Sequence, residues 1–153
     1  MPRYLALEWD GSEARVVVAS ARRDAISIDE AFVVDLAPKD SGQTIADANV
    51  GQTIADALSA RRIGRATTLV AVGRASIELK LLSLPEAPDD ELPEMVRFQA
   101  LREFTTISDD WPLDFVKIPA DDQQSGGVLA VAISPELVAQ IGATCETAGL
   151  TPI

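Results

Sequence analysis

The sequence predicts a mixed α/β (α+β) fold built from two groups of elements. Residues 4–9 and 13–19 are rich in strand-forming residues and flank Asp10-Gly11, a dipeptide typical of a tight hairpin turn. Near the other end, residues 134–149 carry the start and stop signals of a helix. Strand-like and helix-like segments alternate between these ends, which is the pattern of sheets covered by helices.

The first group comprises three strands, a helix and a further strand. Residues 25–36 extend the hairpin into a three-stranded meander, because apolar residues recur there with a two-residue period, as at Ile26 and Ile28. Residues 67–72 have the continuous apolar character of a buried strand. We therefore predict a first domain over residues 1–75.

The helix of this group contains a duplication, because GQTIADA occurs at residues 42–48 and again at residues 51–57. Nine residues rotate an α-helix by about 900°, so Ile45 and Ile54 would lie on opposite sides of one continuous helix. We predict that the second copy, continued by residues 58–62, forms the packed helix and that the first copy is tolerated in a loop. A functional repeat array is the alternative, although solenoids need three or more units.

The second group, over residues 76–153, is predicted to form a second domain with the order strand, helix, strand, strand, helix. Its strands are expected at residues 77–84, 113–118 and 127–133. The helix expected at residues 91–104 carries apolar residues around much of its circumference. This pattern favours burial on two sides, and an exposed docking face is the alternative.

The final helix has the clearest signals in the sequence. Ser134 is a capping residue, Pro135 takes the first helical position and Gly149 follows the last turn. Cys145 falls on the apolar stripe, so we predict a core residue and not a nucleophile. After Gly149 the chain is expected to stop just ahead of another strand, and the sheet edge left open would allow pairing into a homodimer.

Composition excludes several classes of function. The net charge of −11 argues against nucleic acid or an anionic membrane as a partner, because both require clustered Lys and Arg. With no histidine and a single cysteine, the usual zinc sites, His-based triads and internal disulfides cannot be built, and no catalytic residue or metal site is predicted. No apolar run approaches the roughly 20 residues of a spanning helix, and no leader is evident, so we expect a soluble, cytoplasmic chain.

Two stretches resemble the type IV pilus assembly protein PilM family of the actin-like ATPase superfamily. LVAVGRASIELKLLSLPEAPDDELPEMVRFQA at residues 69–100 is similar to the strand, Gly-Arg turn, strand, Leu-Pro, acidic helix start and "VRF-x-A" helix of that family. SPELVAQIGATCETAGLTPI at residues 134–153 is similar to the helix and "AGL-x-P" step that follow. The likeness covers nearly the whole chain except residues 42–57.

The resemblance implies an actin-like, ribonuclease-H-like lobe called 1A, present in part, and a small 1C-type α/β lobe. In that family the nucleotide lies between this half and a second, related half, so the resemblance implies no cofactor in this chain and ATP with Mg²⁺ only in a full-length parent. PilM-like proteins bind the N-terminal cytoplasmic tail of PilN between 1A and 1C. They are thereby held at the inner membrane without inserting into it.

The superfamily's phosphate hairpin has the pattern Asp-x-Gly-Ser/Thr, and Gly11-Ser12 matches its second half. The position two residues before the glycine is Trp9, and the carboxylates are Glu8 and Asp10. Side chains alternate across a strand, so this one-residue offset predicts that Asp10 lies on the face opposite to the one that the motif requires. The motif match makes Asp10, Gly11 and Ser12 the cofactor-binding candidates, whereas the offset argues against metal binding by this hairpin.

The resemblance implies a scaffold that binds the cytoplasmic tail of a PilN-like membrane protein. Matching of motifs makes Arg74, Arg97 and Phe98 the partner-binding candidates, with a solvated turn as the alternative for Arg74 and ordinary core as the alternative for Phe98. One competing function is a nucleotide-binding actin-like ATPase or kinase relative. The other is the cytoplasmic actin-like domain of a type II secretion component.

Overall fold

The computed structural model describes residues 2–36, 47–85, 87–119 and 127–153. It confirms the mixed α/β class, with eight strands and three helices in the described residues. The strands are β1 (Arg3–Trp9), β2 (Glu13–Arg22), β3 (Ala25–Asp35), β4 (Thr67–Val70), β5 (Glu78–Leu82), β6 (Leu113–Ile118), β7 (Gly127–Ala132) and β8 (Thr151–Pro152). The helices are α1 (Asp47–Ala60), α2 (Leu92–Glu103) and α3 (Pro135–Thr147).

The chain forms two compact units. Unit 1 comprises Met1–Val72 with Ala139–Ile153, and unit 2 comprises Gly73–Val138. The assignment of residues 1–75 and 76–153 to 1A-like and 1C-like lobes concerns family subdomains and stays a prediction. No helix in the described residues is long and apolar enough to cross a membrane.

Unit 1 contains a five-stranded sheet with the order β3-β2-β1-β4-β8. The first three strands form the predicted antiparallel meander, whereas β4 and β8 run parallel to their neighbours. A register shift between Val18 and Ala19 places Ile28 opposite Ala19. Such a bulge changes which residues share a face, so the alternation of β3 differs on its two sides.

Helices α1 and α3 supply the core on one face of this sheet. Ile54, in the second GQTIADA copy, is fully buried against residues such as Leu5 and Val16, which confirms that this copy packs. Helix α1 begins at Asp47, four residues ahead of the second copy. The prediction that the first copy forms a loop is wrong at Asp47 and Ala48, which are the first residues of α1, and residues 42–46 lie outside the described residues.

The final helix matches its prediction. The Ser134 hydroxyl accepts a hydrogen bond from the Leu137 N–H at 3.2 Å, and Gly149 adopts φ +70° after the last turn. Cys145 is fully buried, and burial raises the pKa of its thiol. The expectation that the chain stops ahead of a further strand is wrong, because Thr151 and Pro152 already pair with β4.

Unit 2 contains a three-stranded antiparallel sheet with the order β5-β7-β6. Helix α2 packs on it through a stripe with a spacing of four residues, namely Leu92, Val96, Ala100 and Phe104. The predicted burial of α2 on two sides is wrong at Phe98, because this side chain is 63% exposed. The apolar residues spread around the helix therefore include one large aromatic that the described residues leave uncovered.

Candidate functional sites

The polar groups of the turn between β1 and β2 form hydrogen bonds with one another. Asp10 Oδ1 accepts hydrogen bonds from Ser12 N at 2.7 Å, Ser12 Oγ at 2.7 Å and Glu13 N at 3.0 Å. These bonds, led by that from the Ser12 hydroxyl, hold the pKa of the Asp10 carboxyl well below its usual range. The turn is therefore organised around an ionised Asp10 carboxylate.

The faces of β1 agree with the predicted one-residue offset. Leu5 and Leu7 are buried and Trp9 packs against the same core. Arg15, on the opposite face, reaches Glu8 at 3.4 Å and Asp10 at 3.3 Å. Trp9 thus lies on the core side of the strand, and Asp10 belongs to an ion-pair cluster with Arg15.

This turn does not fit a metal-bound phosphate in its present geometry. The Ser12 amide and hydroxyl are the donors that a phosphate would need, and both are engaged by Asp10. Within the described residues, no group of three or more His, Cys, Asp or Glu side chains could hold a metal ion. Binding of ATP and Mg²⁺ through Asp10, Gly11 and Ser12 stays a prediction for a longer parent protein.

Arg74 lies in a short 3₁₀ turn, Arg74–Ser76, that leads into β5. Its side chain is exposed, and Nη1 donates to the Ile77 carbonyl at 2.9 Å. This bond holds one terminal nitrogen of the guanidinium group against the turn that contains Arg74. The remaining guanidinium nitrogens make no hydrogen bond or ion pair with the described residues and are available to a ligand.

Arg97 and Phe98 are neighbours on α2 but differ in their surroundings. Arg97 Nη1 donates to the Asp109 carbonyl at 3.0 Å, and Nη2 donates to the Trp111 carbonyl at 3.3 Å. Arg97 therefore ties the segment before β6 to the helix. Phe98 is exposed and has the Arg102 guanidinium 5.7 Å from its ring centroid. No hydrogen bond or ion pair among the described residues joins Arg74 to Arg97.

The sequence interpretation missed the second face of the unit 1 sheet. Large apolar side chains are exposed there: Ile28 is 68% exposed, Val33 56% and Leu69 49%. We call this surface the open face and define it by Ala6, Val17, Ala19, Ile28, Ala31, Val33 and Leu69. The signal in the sequence is the run of consecutive apolar residues in β2 and β3, such as VVV at 16–18, where a half-exposed strand would alternate.

Comparison with known proteins identifies the fold. No family model matches the chain, and no curated protein matches it. The PilM–PilN type IV pilus biogenesis complex contains a chain that superposes with a TM-score of 0.78 at 24% identity, covering 98% of this chain and 46% of its own. The fold is actin-like. This confirms the predicted fold class, because the two sheets and three helices described above correspond to an actin-like lobe.

A second solved structure is similar at lower identity. The cytoplasmic domain of EpsL, an inner-membrane component of the type II secretion system of Vibrio cholerae, superposes with a TM-score of 0.64 at 11% identity. The match covers 99% of this chain and 55% of that chain. This actin-like chain thus spans about half the length of each of these two structures. At these identities the likeness establishes the fold.

Proposed function

We propose that this protein is an actin-like component of a type IV pilus or type II secretion assembly that binds the cytoplasmic tail of a PilN-like inner-membrane protein. The observation that carries the proposal is the TM-score of 0.78 over 98% of this chain to the chain in the PilM–PilN complex. The EpsL match supports the same class of assembly. Under this proposal the protein works in the cytoplasm and is held at the inner membrane by its partner.

We place part of the tail contact at Phe98 in unit 2. A phenylalanine that is 63% exposed on a well-packed helix is the kind of anchor that a partner buries at the centre of an interface. Phe98 is not needed for the core of unit 2, since α2 already packs through the stripe that contains Val96 and Ala100. Arg102 beside the ring would remain in place as part of the rim.

Arg74 is the second contact in this proposal. Its exposed guanidinium group has donors left after the bond to Ile77, and a planar fork of this kind suits a carboxylate or a pair of backbone carbonyls. Arg97 has a different role here, because both Nη atoms already bind carbonyls of its own unit. We therefore expect Arg97 to act on partner binding only by keeping α2 and the segment at Asp109 together.

The test is calorimetric titration of the protein with a synthetic peptide of the N-terminal cytoplasmic tail of the PilN-like protein from the same organism. We expect measurable affinity for the wild type, a loss of about tenfold for Phe98→Ala and a smaller loss for Arg74→Ala. Ile26→Ala is the matched control, because Ile26 is 78% exposed but lies in unit 1. Absence of wild-type binding would overturn the function, whereas equal binding by all variants would overturn only the location.

A further inference from the structure

Most arginines of the unit 1 strands and turns lie at one end of the sheet. Arg3 begins β1, and Arg22 ends β2 at the same end because the two strands are antiparallel. Arg23 follows in the turn that leads to β3. Strand β4 runs parallel to β1, so Arg65, two residues before the first residue of β4, lies at this end as well. We call this end the arginine end and define it by these four residues.

The arginine end is basic although the whole chain carries a net charge of −11. Among the described residues of these strand ends, the carboxylates are those of Asp24, in the turn, and Asp29, which lies 4.0 Å from the Arg3 guanidinium. In the described part of the opposite end, Arg15 is accompanied by four carboxylates, those of Glu8, Asp10, Glu13 and Asp35. The field at the arginine end therefore attracts an anionic group.

Some of the guanidinium groups at this end have no partner within the chain. Arg23 and Arg65 are exposed, and neither forms a hydrogen bond or an ion pair among the residues that the structure describes. The same holds for Arg62, which precedes Arg65 by three residues in the loop between α1 and β4. A guanidinium group presents a planar fork of donors that matches a carboxylate. These arginines are thus available to carboxylates of another molecule.

A cavity of about 200 Å³ adjoins Arg65 within unit 1. Its apolar lining includes Leu58 of α1, Ile63 of the following loop and Leu150 after α3, and its polar lining includes Ser59 and Arg65. Sites for small molecules have volumes of roughly 300–1,000 Å³, whereas an apolar cavity of about 150 Å³ holds a group as large as benzene. The cavity therefore has the size for one apolar side chain, with a guanidinium group next to it.

The acidic residues of the neighbouring helices do not line this cavity. The Asp56 carboxylate accepts a hydrogen bond from Gln52 at 2.8 Å. Glu146 lies two residues before Ala148, a lining residue whose N–H still donates to the Thr144 carbonyl, and two residues rotate a helix by about 200°. Glu146 therefore projects from the other side of α3. Arg65 remains the charged residue of the described lining.

We propose that the arginine end binds an acidic segment of a partner protein, whose carboxylates bind Arg65 and Arg23 and whose apolar side chain enters the cavity. Two strand spacings, about 10 Å, separate β2 from β4, and an extended segment covers this distance in three to four residues. The cavity favours a protein segment, because neither a nucleic acid nor a lipid headgroup carries an apolar side chain. This interface is independent of the tail contact proposed at Phe98.

A second copy of the chain fits less well as the occupant. Its carboxylates at the opposite end of the sheet surround the β1–β2 turn, and the large apolar residue beside that turn, Trp9, packs against its own core. The turn therefore offers charge without a side chain for the cavity. A second copy would also bring a second net charge of −11.

The probe is a blocked, fluorescently labelled peptide of about ten residues with a central leucine and glutamates three and four residues away on both sides. Anisotropy titration should give saturable binding that weakens about fivefold for Arg65→Gln, and less for Arg23→Gln, and that falls with salt. Arg15→Gln is the matched control, because it removes the same charge at the opposite end of the sheet. A peptide with glycine in place of the leucine should bind about tenfold more weakly to the wild type.

Circular dichroism and thermal melts establish that each variant is folded. Absence of peptide binding by the wild type would overturn the proposal, and so would equal binding by Arg65→Gln and the wild type or equal binding of the two peptides. Binding of phosphatidylglycerol vesicles or of DNA that Arg65→Gln abolishes, without binding of the peptide, would overturn the choice of a protein segment. A wild-type dimer in sedimentation equilibrium that Arg65→Gln converts to a monomer would overturn the choice of a partner protein.

Discussion

Unit 1 and unit 2 differ in the interactions that stabilise each of them internally. Among the described residues, unit 1 has a core cluster of fourteen buried apolar residues, and unit 2 has one of seven. In unit 2, two long basic side chains also donate hydrogen bonds to backbone carbonyls. Arg97 donates to those of Asp109 and Trp111, and Lys80 Nζ donates to that of Glu103 at 2.9 Å. Because the core cluster of unit 2 is smaller, we expect these hydrogen bonds to contribute a larger share of its stability.

The largest effect is expected where the unit 1 helices meet. A Cβ on Gly51 would lie 2.7 Å from the Thr144 carbonyl oxygen and 2.7 Å from Thr147 Cβ. Gly51→Ala therefore has to push α1 away from α3, and we expect it to lower the free energy of unfolding by about 2–3 kcal/mol. Urea denaturation measures the change.

The matched control is the same substitution on α3. A Cβ on Gly142 would meet nothing within 4 Å, and alanine favours a helix over glycine by about 0.5–1 kcal/mol. Gly142→Ala should therefore raise the free energy of unfolding. If Gly51→Ala does not lower the free energy of unfolding, the helices are not packed closely at Gly51.

The corresponding change in unit 2 removes a polar tie. Arg97→Ala leaves the Asp109 and Trp111 carbonyls without their donors, and we expect a loss of about 1–2 kcal/mol together with faster amide exchange in residues 109–111. Arg97→Lys should recover only part of this, because an ammonium group does not span two carbonyls as a guanidinium fork does. Arg102→Ala, next to the exposed Phe98, is expected to be neutral. Unchanged exchange in Arg97→Ala would contradict the role of this tie.

Local signals in the sequence were sufficient for most of the elements. The Asp-Gly turn and the caps at Ser134 and Gly149 each depend on neighbours within a few residues, and the structure has all of them. The same holds for the offset at Trp9, because the parity of a strand is a local property. The two-residue period of β3 is interrupted by the bulge, which leaves Ile26 and Ile28 on the face opposite to Val34. In residues 42–57, the rotation of a helix indicated that the second GQTIADA copy packs. The structure confirms this at Ile54, which is buried.

The remaining features depend on contacts between distant residues. Nothing near Gly51 indicates that its hydrogen faces Thr144, and nothing near Arg97 indicates that its partners are 12 and 14 residues away. The open face was missed because an apolar residue such as Val33 is taken as core unless the position of every helix is known. Phe98 was left between core and interface for the same reason.

A smaller effect is expected at the ends of the unit 1 helices. Two residues after the last residue of each helix the chain adopts the left-handed conformation, at Arg62 with φ +55° after α1 and at Gly149 with φ +70° after α3. The left-handed conformation costs a residue with a side chain about 1 kcal/mol. Arg62→Gly should therefore stabilise and Gly149→Ala should destabilise by about that amount in thermal denaturation. A loss of stability in Arg62→Gly would show that the Arg62 side chain contributes more than its conformation costs.

The β1–β2 turn should add a pH dependence to the stability of unit 1. Because the pKa of Asp10 is lowered in the folded protein, its contribution is present above the pKa of an unfolded aspartate and is lost as pH falls through the folded value. Asp10→Asn keeps the acceptor oxygen but removes this charge. The difference in Tm between the wild type and Asp10→Asn should therefore shrink below about pH 4. A difference that stays constant from pH 7 to pH 3 would contradict this.

The smallest shift is expected from Mg-ATP, which tests whether the turn is structural or binds phosphate. A ligand that binds only the folded state raises Tm, and the rise grows with the ratio of its free concentration to its Kd. Because Asp10 already holds the Ser12 amide and hydroxyl, we expect millimolar Mg-ATP to leave the Tm of this chain unchanged. Asp10→Ala frees both donors and serves as the comparison, with Gly142→Ala as a folded control. A clear rise in the wild type that Asp10→Ala abolishes would show that Asp10 binds the nucleotide and that the turn rearranges to admit it.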